Sequence, residues 1–277
     1  LGQRKYSRDG CLAFQGRNVI FENIGLGKEG KRMKLYLNVP YSEKDEAKAL
    51  GAKWNPRVKK WYTDMAPQNY VRFSKWLLRE TDDVIIATDY LHIIEGVRPC
   101  WKCGHSTRVI GLGLGEFFHI FGEEDDPQYE FVEDYVDPGQ QVHLAWAAEK
   151  EIPPRLLRYL KEHYSVRTGY SKTIGGNCFA NHCDFCGAMQ GNWFLFGEPD
   201  SPLSAEAEGN ELIARMRGLK IYAIPIEDNL QLNWDVGFCS NDYAYLKYGR
   251  YEELILSKDP ENEFISYEEL YQEARKI

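Results

Sequence analysis

The chain has 277 residues, 43% hydrophobic, 14% aromatic and 27% charged, which is enough for one or two buried cores and excludes wholesale disorder. No apolar run approaches the ~20 residues of a membrane-spanning helix; the longest, residues 109–121, is broken by Gly111, Gly113, Gly115 and Glu116. The formal net charge of −8 divides unevenly, with 17 basic against 8 acidic residues over 1–80 and 17 against 34 over 81–277, an asymmetry that points to nucleic acid for the first part only. The first ten residues lack the apolar core of a secretory signal, so the expectation is a soluble, cytoplasmic protein without membrane contact.

Residues 1–32 show neither helical nor alternating periodicity, and Met33 is the first methionine. Lys28-Glu29-Gly30 is compatible with a purine-rich ribosome-binding sequence just upstream of an initiator codon. Residues 1–32 are therefore read either as translated leader or as a loosely ordered arm.

A regular pattern begins after Met33. Leu35, Leu37 and Val39 alternate and end at Pro40, as in a short strand. Ser42, with Asp45 three residues on, opens a helix filled by Ala47, Ala49 and Leu50 and stopped by Gly51. Lys53-Trp54 and Lys60-Trp61-Tyr62 flank Asn55-Pro56-Arg57, the pattern of a β-hairpin. Pro67 starts a second helix carrying Tyr70, Phe73, Trp76 and Leu77. Residues 33–80 thus read as a small, basic, aromatic-rich β-α-β-β-α module.

The string Leu37-Asn38-Val39-Pro40-Tyr41, then Glu43-Lys44-Asp45-Glu46-Ala47-Lys48, Leu50-Gly51-Ala52, Trp54 and Lys60-Trp61-Tyr62 resembles a small domain of unknown function. That domain recurs on plasmid conjugation primases and other proteins that handle DNA on mobile elements. The resemblance implies an association with DNA processing, not a reaction. Lys53, Trp54, Arg57, Lys59, Lys60, Trp61 and Tyr62 have the composition of a platform for single-stranded DNA or RNA, in which aromatic faces stack bases and cations track phosphates. Trp54 and Trp61 are themselves expected to serve largely as the module's core, and the basic run from Arg57 to Lys60 is the candidate surface.

Residues 81–277 read as a larger, acidic, zinc-ribbon-containing part, so that the whole is α+β. Cys100-Trp101-Lys102-Cys103-Gly104 and Cys183-Asp184-Phe185-Cys186-Gly187 share the form Cys-x-x-Cys-Gly. Two thiolates on a tight turn can face one ion, and the glycine accepts the left-handed conformation the turn requires. Cys100, Cys103, Cys183 and Cys186 together close a tetrahedral structural Zn²⁺ site with no open position; an iron–sulfur cluster or a pair of redox dithiols are the rivals. The stretch from Ala180 through Gly191 to Phe196, with its partner Pro99-Cys100-Trp101-Lys102-Cys103, looks like a recurrent bacterial zinc-binding segment, which implies the same four ligands. The 79 residues between Cys103 and Cys183 are expected to hold a strand at 107–112, an acidic stretch at 123–137 and helices at 142–150 and 153–164. Cys178 and Cys239 are expected to be packed thiols, and Cys178 and His182 are redundant as ligands.

Further on, 206–217 reads as a helix, 220–225 and 229–236 as strands, and 267–277 as a closing helix. Trp234, Tyr243, Tyr245, Tyr248 and Tyr251 form either a core edge or a surface for a protein partner. Gly111-Leu112-Gly113-Leu114-Gly115 has the wrong spacing for a dinucleotide loop, and no P-loop, serine-hydrolase elbow or zincin motif occurs. No catalytic constellation is legible. The leading expectation is a zinc-stabilised, non-catalytic accessory protein whose basic module contacts nucleic acid, single-stranded DNA favoured, and whose acidic body contacts protein. Two alternatives stand beside it. One is a divalent-metal nuclease or nucleotide-modifying enzyme using Glu123, Glu124, Asp125 and Asp126, or Glu130, Glu133 and Asp134; the other is a protein-interaction module.

Overall fold

Leu35 and Leu37, alternating about Tyr36, form β1 (Leu35–Leu37), the first element of the computed structural model, which describes residues 33–77, 84–122, 127–132, 141–198 and 200–257. The expectations for 1–32 and for a helix at 267–277 lie outside the described residues.

The module follows the expected order. A single helical turn, Tyr41–Glu43, leads into α1 (Lys44–Ala49), and the hairpin β2 (Lys53–Asn55) and β3 (Lys60–Thr63) completes a sheet of order β1-β3-β2. Two details differ. Ser42 does not cap α1, which begins two residues later without a side-chain cap; the Glu43 carboxylate at its start instead accepts the Trp76 indole N–H at 2.6 Å. The second helix, Pro67–Trp76, is 3₁₀ rather than α. Its buried Tyr70, Phe73 and Trp76 recur every third residue, and three residues per turn aligns all three on one side.

The module's core does not close on itself. Leu35, Leu37, Trp61, Tyr70, Phe73 and Trp76 pack with Val84, Ile86, Phe118 and Ile120 from the rest of the chain. Val84 and Ile86 lie in β4 (Val84–Ala87), which continues into β5 (Tyr90–Pro99), β6 (Ser106–Leu114), β7 (Phe117–Phe121), β8 (Gln128–Val132) and β9 (His143–Trp146). After α2 (Pro154–His163) come β10 (Val166–Ser171), β11 (Gly176–His182) and β12 (Met189–Gln190). The chain then runs through α3 (Gly209–Arg217), β13 (Lys220–Pro225), β14 (Leu230–Leu232), β15 (Asp235–Val236), α4 (Ala244–Tyr248) and β16 (Arg250–Glu253). The result is α+β.

A six-stranded sheet of order β15-β9-β6-β5-β13-β16 is the spine. Leu156 and Leu160 of α2 pack over one face with Leu91, Leu112 and Leu114. Leu212 and Met216 of α3 and Tyr245 of α4 pack over the other with Ile94, Val109 and Leu144. A four-stranded sheet, β14-β4-β7-β8, stands between spine and module. Its strand β4 is buried on both sides, Ile85 and Ala87 toward the spine's core and Val84 and Ile86 toward the module's. The module is further tied to the β13–β14 region, where Asn229 N–H donates to the Lys34 carbonyl at 2.9 Å and the Asn229 amide bonds the Tyr70 hydroxyl.

Residues 142–150 are a correction. Within them His143–Trp146 form strand β9, not a helix, and Glu149–Glu151 only a 3₁₀ turn. Leu144 faces one core and Ala145 the other, and a strand buried on both faces presents a continuous apolar run that mimics a helical pattern. The glycines of 111–115 lie along and just beyond β6. A Cβ on Gly113 would come within 2.5 Å of Val142 Cγ1, so that glycine admits a close neighbour rather than a nucleotide. Trp234 and Tyr245 are buried and hydrogen-bond backbone carbonyls, of Glu151 at 3.0 Å and Leu203 at 2.7 Å, so both belong to the core, while Tyr251 stands exposed. Among the described residues no helix is long and apolar enough to cross a membrane.

Candidate metal centre

The two Cys-x-x-Cys-Gly motifs occupy equivalent positions: each is the turn of a hairpin, one between β5 and β6, the other between β11 and β12. Their backbones match bond for bond. Cys100 N–H donates to the His105 carbonyl at 2.8 Å and Gly104 N–H to the Cys100 carbonyl at 2.9 Å; Cys183 N–H donates to the Ala188 carbonyl at 2.8 Å and Gly187 N–H to the Cys183 carbonyl at 3.0 Å. Gly104 and Gly187 take φ of +74° and +68°, which only glycine adopts without strain.

The turns bring the sulfurs of Cys100, Cys103, Cys183 and Cys186 within 4.8 Å of one another. Cys100 Sγ lies 3.7 Å from Cys186 Sγ, and Cys103 Sγ 3.7 Å from Cys183 Sγ. Four sulfurs each ~2.3 Å from a tetrahedral ion are separated by about 3.8 Å, so the cage has the dimensions of a single ion. Multi-iron clusters spread their thiolates over separate irons and fit it less well. Lys102 N–H donates to Cys100 Sγ and Phe185 N–H to Cys183 Sγ, both at 3.4 Å, and the buried Gln190 amide donates to Cys100 Sγ at 3.4 Å. Burial opposes ionisation of Cys100, but the N–H groups of Cys103 and Lys102 bring its thiol down to about 6. Cys183 is lowered in the same way, against its burial, by the N–H groups of Cys186 and Phe185. The His105 N–H draws the Cys103 thiol down, yet burial and its three sulfur neighbours hold it up at about 12. A set of crowded thiols, partly ionised by backbone donors, could hold a metal ion.

Two polar side chains lock the hairpins together. The Asn181 amide is inserted against Ile110, accepting its N–H and donating to its carbonyl, both at 2.8 Å. Asp184 accepts from the Ser165 hydroxyl at 2.8 Å and the Arg108 N–H at 3.2 Å, while its own N–H donates to Thr107 Oγ1 at 3.0 Å. Cys178 and Cys239 are half-buried, and the His182 ring faces the Ala180 carbonyl at 3.0 Å. Among the described residues no other group of three or more ligand side chains converges.

The seven hairpin residues do not share one surface. Side chains alternate across a strand, and register pairs Trp54 with Trp61, Lys53 with Tyr62 and Asn55 with Lys60. Trp54 and Trp61 therefore face the module's core side, while Lys53, Lys60 and Tyr62 face the opposite side. Trp61 is only 8% exposed and serves the core. Trp54, on the edge strand, is 48% exposed and lies edge-on to Trp61 at 5.5 Å. Lys53 is engaged by both carboxylate oxygens of Asp64. Arg57 and Lys59 stand exposed at the tip, Lys59 with φ of +53°. Glu43 and Glu46 pair with Lys75, and Asp45 with Lys48.

Residues 123–126 and 133–134, with the side chain of Glu130, lie outside the described residues. Sequence reading missed one buried pair: His143 Nδ1 lies 2.7 Å from Asp242 Oδ2, which also accepts the Cys239 N–H at 2.9 Å. Nearby His92 has neither ring nitrogen partnered, and burial, assisted by His143, lowers it to about 3. The pair spans 99 residues and no local spacing announces it.

Residues 34–77 match the family model of a domain of unknown function (DUF5710). The chain is 50% identical over 50 residues to a DNA primase TraC of Escherichia coli, covering 17% of this chain and 3% of that primase. It is 37% identical over 75 residues to a second TraC primase of the same organism, covering 26% of this chain and 7% of that protein. The chain thus spans less than a tenth of either relative's length. No solved structure matches it. The module of residues 34–77 accordingly resembles a domain associated with plasmid-conjugation primases.

Proposed function

We propose that this is a zinc-stabilised accessory protein in the DNA processing of mobile elements, acting by binding rather than by catalysis. Residues 33–80 contact single-stranded nucleic acid, DNA favoured, and the acidic surface of residues 81–277 meets a protein partner. The observation that carries the reading is Trp54, half exposed beside the basic β2–β3 tip, within the residues 34–77 that match the domain family, in a chain half identical over 50 residues to a DNA primase. A strand that wraps the tip, from Lys60 on one face to Trp54 on the other, places its phosphates on Lys60, Lys59 and Arg57 and stacks a base on Trp54; each stacked base contributes roughly 1–3 kcal/mol. The ion proposed for Cys100, Cys103, Cys183 and Cys186 is Zn²⁺. Four thiolates leave it no open position, so its role is to hold the two hairpins together.

The test is fluorescence anisotropy of the full chain with a labelled oligothymidine, beside Trp54→Ala and Lys59→Glu/Lys60→Glu. Both variants weaken binding at least fivefold if the hairpin is the contact. Undiminished binding in both removes the hairpin from the account.

A further inference from the structure

The surface around the two knuckles differs from the acidic body that bears them. Trp101 is 68% exposed and Phe185 66%, although each is fixed by a partner. The Trp101 indole N–H donates to the Met189 carbonyl at 2.7 Å, which lays the ring against β12. Phe185 stacks on His105 at 4.7 Å with 23° between the planes, leaving its other face open. Phe194 is also exposed, and its backbone carbonyl accepts from Arg98 at 2.9 Å, which brings that segment beside the first knuckle's strand. Rings held rigid yet exposed contribute nothing to a core, and their ordering cost is already met before a ligand arrives.

The charge is equally local. Around the knuckles lie Arg98, Lys102, Arg108 and Arg167, with Asp184 and, hydrogen-bonded to Trp193 beside Phe194, Glu198 as carboxylates, inside a region of net −17. Asp184 is consumed by Ser165, Thr107 and Arg108. Arg167 donates to the Gly187 carbonyl at 3.1 Å, which places its guanidinium at the second knuckle. Four thiolates on a dication leave −2, dispersed over the N–H donors to sulfur, so the cage does not take up the cations at its rim.

We infer that the knuckle rim formed by Trp101, Phe185 and Phe194 with Arg98, Lys102 and Arg167 is a second binding surface, and that its ligand is single-stranded nucleic acid. Fixed aromatic faces among cations stack bases and track phosphates without regard to sequence. The rim is distinct from the β2–β3 hairpin. It lies at the Pro99 end of β5, whereas β4, which bears the module, joins the Tyr90 end, about 30 Å away for a ten-residue strand. It therefore stands whether or not the hairpin binds.

The experiment measures anisotropy of labelled oligothymidine on the full chain at low salt. Its variants are Trp101→Ala/Phe185→Ala, Trp101→Phe, Lys102→Glu and Lys59→Glu/Lys60→Glu, each checked for unchanged metal content. The double alanine variant loses at least tenfold in affinity. Trp101→Phe, which keeps a stacking face but not the indole N–H, stays within about threefold of wild type, and Lys102→Glu loses severalfold without touching a ring. These losses persist in the Lys59→Glu/Lys60→Glu background. Undiminished affinity in both the double alanine variant and Lys102→Glu overturns the inference, including the case in which the rim binds a protein instead. Loss only in the hairpin variant overturns it and leaves the hairpin reading intact; loss only in the rim variants does the reverse.

Discussion

Replacing Cys183 by serine tests the clamp formed by the two knuckles. Cys183 is buried, receives the Phe185 N–H at 3.4 Å and lies 3.7 Å from Cys103 Sγ, so a shorter, harder oxygen at that place neither reaches nor favours the ion. An ion bound by both knuckles closes the loop from Cys103 to Cys183, 81 residues counted inclusively. Treated as a cross-link, that closure removes about 15 cal/mol/K of entropy from the unfolded chain, or about 4.5 kcal/mol at 25 °C. Against a typical total of about 5–15 kcal/mol, the clamp carries roughly 30% or more of the stability. The assay is urea unfolding of wild type, chelator-treated wild type and Cys183→Ser, with metal content measured on each sample. The expected result is one Zn²⁺ per wild-type chain, loss of metal in the variant, and a fall of about 4–5 kcal/mol in both metal-free samples. Wild-type protein holding well under one metal per chain, or equal stability with and without metal, refutes the reasoning.

Burial holds the Asp89 carboxyl up at about 7, while the N–H groups of Tyr90 and Glu116 pull the other way. A raised carboxyl stabilises the fold fully below its unfolded value near 3.8 and loses that contribution as pH rises through about 7. Asp89→Asn keeps an acceptor for both N–H groups, so its stability relative to wild type grows between pH 4 and 7 by up to roughly 4 kcal/mol; a pH-independent difference in urea unfolding counts against this. Asn181→Ala strands the buried N–H and carbonyl of Ile110 and costs roughly 2–4 kcal/mol by the same measurement, and a cost under about 0.5 kcal/mol removes Asn181 as a lock. Trp61→Ala costs roughly 3–5 kcal/mol of stability, while Trp54→Ala costs roughly 1 kcal/mol or less; similar losses contradict the assignment of one to the core and the other to the surface.

The features legible in the sequence are those whose physics is local. Cys-x-x-Cys-Gly contains its own turn, its own thiols and its own left-handed glycine, so both knuckles could be read without knowing what lay between them. The hairpin was readable from Asn55-Pro56-Arg57 and its flanking aromatics. That the seven hairpin residues divide between two faces was already in the sequence: consecutive strand residues face opposite ways, so Lys53 and Trp54 cannot share a surface. Strand β9 was misread because burial on both faces erases the period that separates strand from helix. The sharing of the module's core with Val84, Ile86, Phe118 and Ile120, and the pairing of His143 with Asp242, depend on contacts across long stretches of chain. The cations at the rim are hidden by averaging, since Arg98, Lys102, Arg108 and Arg167 inside a strongly acidic region vanish from its net charge.

The most direct test of the central claim is the salt dependence of single-stranded DNA binding by the full chain. Each phosphate neutralised contributes about −0.7 to the slope of log K against log salt. Wild type is expected to bind at low salt with a clear negative slope, and Lys59→Glu/Lys60→Glu to bind more weakly with a slope shallower by about 1.4. A slope near zero, or one that the charge reversal leaves unchanged, contradicts a nucleic-acid contact at the hairpin.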